Sequence, residues 1–262
     1  MIIKNIILFE LKDLIKSKWF FIYSTVVFIF SFIVIYFSSG KTNEIIATLT
    51  NFFLLVVPLY TMIFSVINLY ESINFQNLLI IRGVNRRLIF FGKVLGLLLG
   101  LFLSFTLGIL PIFIFYKKLE NLFYIFFLLI FYSFLLHLIF IGIAFFISQF
   151  KLRLEISIGI CILLWFFLYI IYDSIIFLIA INFGDYPLEK IILALLFLNP
   201  MDLIRTVLFI HGDLSIIMSY SSAIYIQVFG SHLGIVSGIF FLVFLSIFFL
   251  HSGLKKFLER DV

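Results

Sequence analysis

After its first 18 residues this chain arranges its apolar positions in long runs separated by short polar segments. A helix advances about 1.5 Å per residue, so about 20 apolar residues cross the roughly 30 Å hydrocarbon core of a membrane. Six such spans are predicted: Trp19 to Phe37, one within Ile45 to Tyr70, Val94 to Tyr116, one within Leu122 to Phe150, Ile156 past Asp173 towards Ile181, and Leu233 to Leu250. Only the fifth contains a formal charge, Asp173. The first stretch has full span length and no small-residue cleavage site, so it is read as a span rather than a secretory signal. The predicted fold is a single all-α, polytopic membrane domain over residues 1–262.

Composition agrees. Of 262 residues, 65% are hydrophobic and 12% charged, against roughly 45–50% and about 25% in soluble domains. A water-soluble globular protein is excluded, and the net charge of +5 is read first as topology rather than as nucleic-acid affinity. Lys4, Lys12, Lys16, Lys18, Arg82, Arg86, Arg87, Lys93, Lys151, Arg153, Lys255, Lys256 and Arg260 fall on one side of the six spans; Lys41, Lys117, Lys118, Lys190 and Arg205 fall on the other. Basic residues mark the cytoplasmic side, so both termini are expected there, in the inner membrane.

Three segments outside the spans carry information. The arm 1–18 sets Ile3, Ile7, Leu11, Leu14 and Ile15 on one stripe with Asn5, Lys12, Asp13 and Lys16 opposite, as in a helix lying in the membrane surface. The segment 71–93, between spans two and three, is longer than a turn needs. The external segment 182–232 contains Asn199-Pro200-Met201-Asp202, where Asn suits an N-cap, Pro the first helical position and Asp the first turn. Leu188 to Leu198 is too short to span, so an external helical hairpin is expected. A seventh span here would move the carboxyl terminus to the other side and spoil the charge asymmetry.

On span three, Gly92, Gly96, Gly100, Ser104 and Gly108 recur every fourth residue and create a flat face for close helix approach. Gly230, Gly234 and Gly238 begin a second such face. Static packing within one subunit is the expectation; a sliding interface in a transporter is the alternative. Asp173 falls roughly 26 Å along its helix, near the external interface, as an ordinary carboxylate or a partner contact. His137 reads as a hydrogen-bonded packing residue before a ligand, and Cys161 as a buried small hydrophobe. Ser39-Gly40-Lys41-Thr42 ends like a phosphate-binding loop, but Ile35 stands at the first glycine and no strand precedes it. The sequence offers no nucleotide site, no metal-ligand spacing and no catalytic grouping, so neither enzyme nor resident cofactor is expected. A secondary transporter would more often show broken helices and buried coupling-ion carboxylates.

Six spans, an amphipathic arm, a basic segment between spans two and three and external helices before the sixth resemble permeases of the ABC-2 exporter class. Glu71 to Lys93, closing Arg86-Arg87-Leu88-Ile89-Phe90-Phe91-Gly92-Lys93, is similar to that class's cytoplasmic signature, with Asn74-Phe75-Gln76 in place of Gly-Thr-Leu and Gly83 in place of a proline. Leu198-Asn199-Pro200-Met201-Asp202-Leu203-Ile204-Arg205 resembles the Leu-Asn-Pro-x-Asp-x-x-Arg segment of the permease of nitrous-oxide-reductase maturation.

The resemblance implies a non-catalytic subunit. ATP would be bound by a separate cytoplasmic ATPase, and a second permease copy and a periplasmic accessory protein would complete an assembly serving the copper sites of nitrous-oxide reductase. A copper species, a sulfur species or mechanical force could be what is passed. ATPase coupling falls to Glu71, Leu78, Arg82, Arg86 and Arg87, with a short helix over Leu78 to Arg87. External contact falls to Asp173, Asn199, Pro200, Asp202 and Arg205. The basic residues also face anionic lipid, and nucleic acid is not an expected partner.

Overall fold

The computed structural model describes residues 2–37, 42–115, 120–150, 152–184, 186–211 and 219–259. Lys41, Lys117, Lys118, Lys151 and Arg260 of the charge pattern lie outside these residues. The described elements are helical: α1 Ile2–Lys16, α2 Lys18–Phe37, α3 Thr42–Glu71, α4 Ile73–Ile81, α5 Arg86–Phe115, α6 Glu120–Ser148, α7 Leu154–Phe166, a π turn Phe167–Ile171, α8 Tyr172–Asn182, α9 Glu189–Leu198, α10 Pro200–His211 and α11 Tyr220–Leu258. Among the described residues five helical stretches are long and apolar enough to cross a membrane: Glu44–Glu71, Arg86–Leu110, Phe126–Ser148, Leu154–Asn182 and Tyr220–Leu258. The bent pairs α1 with α2, at 65°, and α9 with α10, at 106°, have the composition of broken spans.

Helices α3, α5 and α6 form the buried centre, and the fourth of these stretches, α7 through α8, which is the expected fifth span, leans on it along one edge with only 17% of its most apolar stretch buried. Long-range hydrogen bonds tie the bundle where apolar packing gives no drive in lipid. Ser104 Oγ donates to Phe20 O at 2.6 Å, and Tyr70 Oη meets Leu152 O and Ser157 Oγ at 2.8 Å. In α3, Pro58 removes the amide that would bond Leu54 O, and on the next residue Trp165 Nε1 donates to Leu55 O at 2.9 Å. His137 is fully buried; its Nδ1 bonds Ser133 O at 2.7 Å and its Nε2 meets Tyr23 Oη at 3.1 Å. Both ring nitrogens are engaged, as the packing assignment requires. Cys161 is buried.

The small-residue face of α5 is filled from within the chain. A Cβ on Gly92 would strike Ile6, on Gly96 Glu10, on Gly100 Leu14, and on Gly108 the carbonyl of Ser24 and Val27. The arm α1 and the start of α2 therefore run along α5, and a sliding face for another copy does not exist there. The stripe of α1 that packs is Ile6, Glu10 and Leu14. This differs from the predicted surface stripe because small-residue contacts at every fourth position, not amphipathicity, set how α1 is rotated. The final helix bends at Gly230, whose φ of +68° and ψ of −178° suit glycine. Gly230 is thus a bend rather than a packing residue, whereas Gly234 and Gly238 do pack, against Tyr225, Ile210 and Val207.

Candidate functional site

Two constellations hold the chemistry, one at the end of the bundle rich in Lys and Arg and one at the opposite, far end. At the basic end, α3 passes into α4 through Ser72, whose Oγ bonds back to Asn68 O at 2.7 Å. Gln76 is buried and donates to Leu69 O at 3.4 Å and Ser72 Oγ at 3.0 Å. Helix α4 ends at Arg82, and Gly83, with φ of +79°, reverses the chain. Asn85 Oδ1 then accepts from Arg87 N at 2.9 Å and caps α5.

The predicted helix over Leu78 to Arg87 is consequently displaced. It occupies Ile73–Ile81, because Gly83 breaks it and Arg86 and Arg87 already belong to α5. Glu71, Leu78, Arg82 and Arg87 are exposed, as is Ile81 at 75% of its surface. Arg86 is half-buried and its guanidinium donates to Leu258 O at 3.1 Å, where a positive charge suits the carboxyl end of α11. The ring of Phe9 stacks on Phe75 at 4.7 Å, so the arm and α4 touch.

Behind this surface lies a pair that the pattern of apolar positions concealed. Lys93 Nζ donates to both carboxylate oxygens of Glu10 at 2.9 Å, and the two residues are 2% and 3% exposed. Glu10 sits in the middle of the packed stripe of α1, where sequence reasoning expects an apolar residue.

At the far end the structure draws together residues read separately from the sequence. Asn199 caps α10, its Oδ1 accepting from Met201 N at 3.1 Å. Its Nδ2 donates to Asp202 Oδ2 at 2.8 Å and to Leu168 O at 2.9 Å. Leu168 lies in the π turn, where carbonyls are displaced from the regular ladder and can be taken by a neighbour. Arg205 donates to Asp173 Oδ2 at 2.6 Å and approaches Asp202 Oδ1 at 3.3 Å. Tyr172 Oη adds a bond to Leu195 O at 2.6 Å.

Asn199, Pro200 and Asp202 are buried, and Asn199 and Asp202 bond within their own chain. Helix α10 is therefore an inserted element, buried over almost its whole length against α3, α6, α9 and α11, rather than half of a surface hairpin. Of the residues assigned to external contact, Asp173, with its side chain 35% exposed, and to a lesser degree Arg205, at 13%, reach the surface. The π turn was the missing signal: nothing in Phe167 to Ile171 distinguishes it from ordinary apolar helix.

Among the described residues no group of three or more His, Cys, Asp or Glu is placed to hold a metal ion. No protein-family model matches this chain, and no characterised protein matches it in sequence.

Proposed function

We propose that the chain is the membrane-embedded permease subunit of an ABC transporter of the ABC-2 type, driven by a separate cytoplasmic ATPase. The observation that carries this reading is α4: a nine-residue helix set between two long apolar helices, with Leu78 and Ile81 exposed on it and Arg82 and Arg87 exposed just beyond its end. A chain without a nucleotide site takes up ATP energy only through a partner, and a partner needs such a handle. Counting α2, a helix of 20 residues whose one charge is Lys18 at its start, gives six spans with the basic end and both termini in the cytoplasm. Glu71, Arg82 and Arg87 then ring the coupling surface, while Arg86 holds α5 to α11. The weakly buried fifth span supplies an apolar face for a second permease copy.

The narrower reading, service to the copper sites of nitrous-oxide reductase with a periplasmic partner, rests on the Leu198 to Arg205 segment. A second reading, permease of another ABC-2 exporter, is favoured by the burial of Asn199, Pro200 and Asp202, which leaves little of that segment for an external partner.

The test is co-purification of companion chains in mild detergent from wild type and from Leu78→Asp/Ile81→Asp. Both positions are exposed, so insertion is retained, and an ATPase that accompanies wild type is expected to be lost from the variant. Undiminished capture of the ATPase, or wild-type protein that comes without one, refutes the reading.

A further inference from the structure

The far-end network contains two acids and one base. Asp202 is 2% exposed, and an uncompensated carboxylate in such a place costs several kcal/mol, so it neutralises instead of staying ionised. The Arg205 guanidinium makes its short contact, 2.6 Å, to Asp173, and stands 3.3 Å from Asp202. One positive charge is therefore already committed to the more exposed acid.

The hydrogen bonding points the same way. Oδ2 of Asp202 accepts from Asn199, but Oδ1 is buried without a hydrogen-bond partner. As an acceptor it is unmatched; as a hydroxyl it has the Asp173 carboxylate for a neighbour, because the same Arg205 nitrogen that stands 3.3 Å from Asp202 Oδ1 holds Asp173 Oδ2 at 2.6 Å. Asp173 in turn lines a cavity of about 250 Å³ with Ile176, Phe177, Ser219, Tyr220 and Ser221. Water in that cavity reaches Asp173, and through it the buried acid.

We propose that Asp202 and Asp173 form a proton-binding site, sharing one exchangeable proton that enters from the far-end cavity. The groups facing the pair are Arg205 and Asn199 from α10 and its cap, Tyr169 and Tyr172 from the fifth span, and Ser219 and Ser221 from the start of α11. Burial pushes the Asp202 carboxyl up, the charge of Arg205 opposes this, and Asp173 adds to it. Loss of the proton sets two anions against one guanidinium at the joint between the π turn and α10. The joint then loosens where Asn199 bridges them. This inference does not depend on the transporter assignment.

The test is infrared spectroscopy of the full chain in lipid nanodiscs, in H2O and D2O, as pH is raised from neutrality. The expected result is a protonated-acid carbonyl band equivalent to one carboxyl per chain, shifted in D2O and fading at higher pH. It is lost in Asp202→Asn and also in Asp173→Asn, since one remaining acid pairs with Arg205 and ionises. Glu10→Gln, which removes the other buried acid described above, leaves the band intact. Asp173 is partly exposed, so Asp173→Asn decides the matter should Asp202→Asn not fold. Absence of the band from wild type, or its persistence in the Asn variants, overturns the proposal.

Discussion

Removing Lys93 tests how the amino-terminal arm is held. In Lys93→Met the Glu10 carboxylate keeps its place between Ile6 and Leu14 but loses the ammonium that bridges both its oxygens at 2.9 Å. Stranding one member of a buried ion pair costs about 3–5 kcal/mol. The apolar attachment of the arm rests chiefly on Ile6 and Leu14, 6% and 1% exposed, at about 1.5–3 kcal/mol each where the arm leaves for water, an upper figure because lipid in place of water lowers it. The two magnitudes are comparable, so the arm is expected to come off α5 while the bundle stays folded. At 1.4 kcal/mol per tenfold, the opening equilibrium rises roughly a hundred- to several-thousand-fold. Hydrogen exchange of the α1 amides in nanodiscs reads this directly, with the amides of α6 as the unaffected control. Glu10→Leu/Lys93→Met, which removes both charges, is expected to restore most of the protection. Wild-type exchange in Lys93→Met, or a double variant as labile as the single, refutes the assignment of the loss to an unpaired charge.

Two further substitutions follow from local geometry. Gly108→Leu drives a side chain into the Ser24 carbonyl, 2.6 Å from where its Cβ would stand, and separates α2 from α5, whereas Gly159→Leu has nothing within 4 Å; overpacking of this kind costs about 1–3 kcal/mol, so only Gly108→Leu is expected to lower the unfolding temperature in detergent. Asn199→Ala removes the α10 cap and the donor to Leu168 O, with about 0.5–2 kcal/mol expected for the cap and about 1–3 kcal/mol for the carbonyl left unsatisfied. Exchange at α10 amides is expected to rise with it, and unchanged protection there refutes the bridging role.

The apolar runs made five long apolar helices legible, the expected second to sixth spans, because lipid demands length and little else of a helix, and the Asn199-Pro200 start of α10 was legible because capping chemistry is local. What surrounds α10 was not. A short helix with Asp and Arg in its first two turns looks like a surface element, and only the tertiary pairing of Arg205 with Asp173, 32 residues away, lets it be buried. The displacement of the helix expected over Leu78 to Arg87 has a similar origin: the basic run Arg82 to Arg87 attracts the eye, while Gly83 decides where α4 stops. Glu10 was hidden for the opposite reason, since a carboxylate within a run of Ile, Leu and Phe reads as solvent-facing until Lys93 is found beneath it.

That Glu10 is charged at all has a geometric rationale. The groove on α5 repeats every four residues, Gly92, Gly96, Gly100, and so does the stripe on α1, Ile6, Glu10, Leu14. The glycine groove therefore accepts Ile6 over Gly96 and position 10 over Gly100 after a shift of one turn, with only the Ser104 Cβ standing in the way of Leu14. A one-turn shift of about 5.4 Å pulls Glu10 from Lys93 and is excluded by charge, the register-setting use of a buried polar pair. The doubly neutral Glu10→Leu/Lys93→Met variant is then expected to be nearly as stable as wild type but no longer unique in register. In a Cys161→Ala background, Ile6→Cys paired with Gly92→Cys should cross-link in both proteins. Ile6→Cys paired with Gly96→Cys should cross-link only where the charges are gone. Equal exclusion of the second pairing in both proteins would show that packing sets the register and that the ion pair does not.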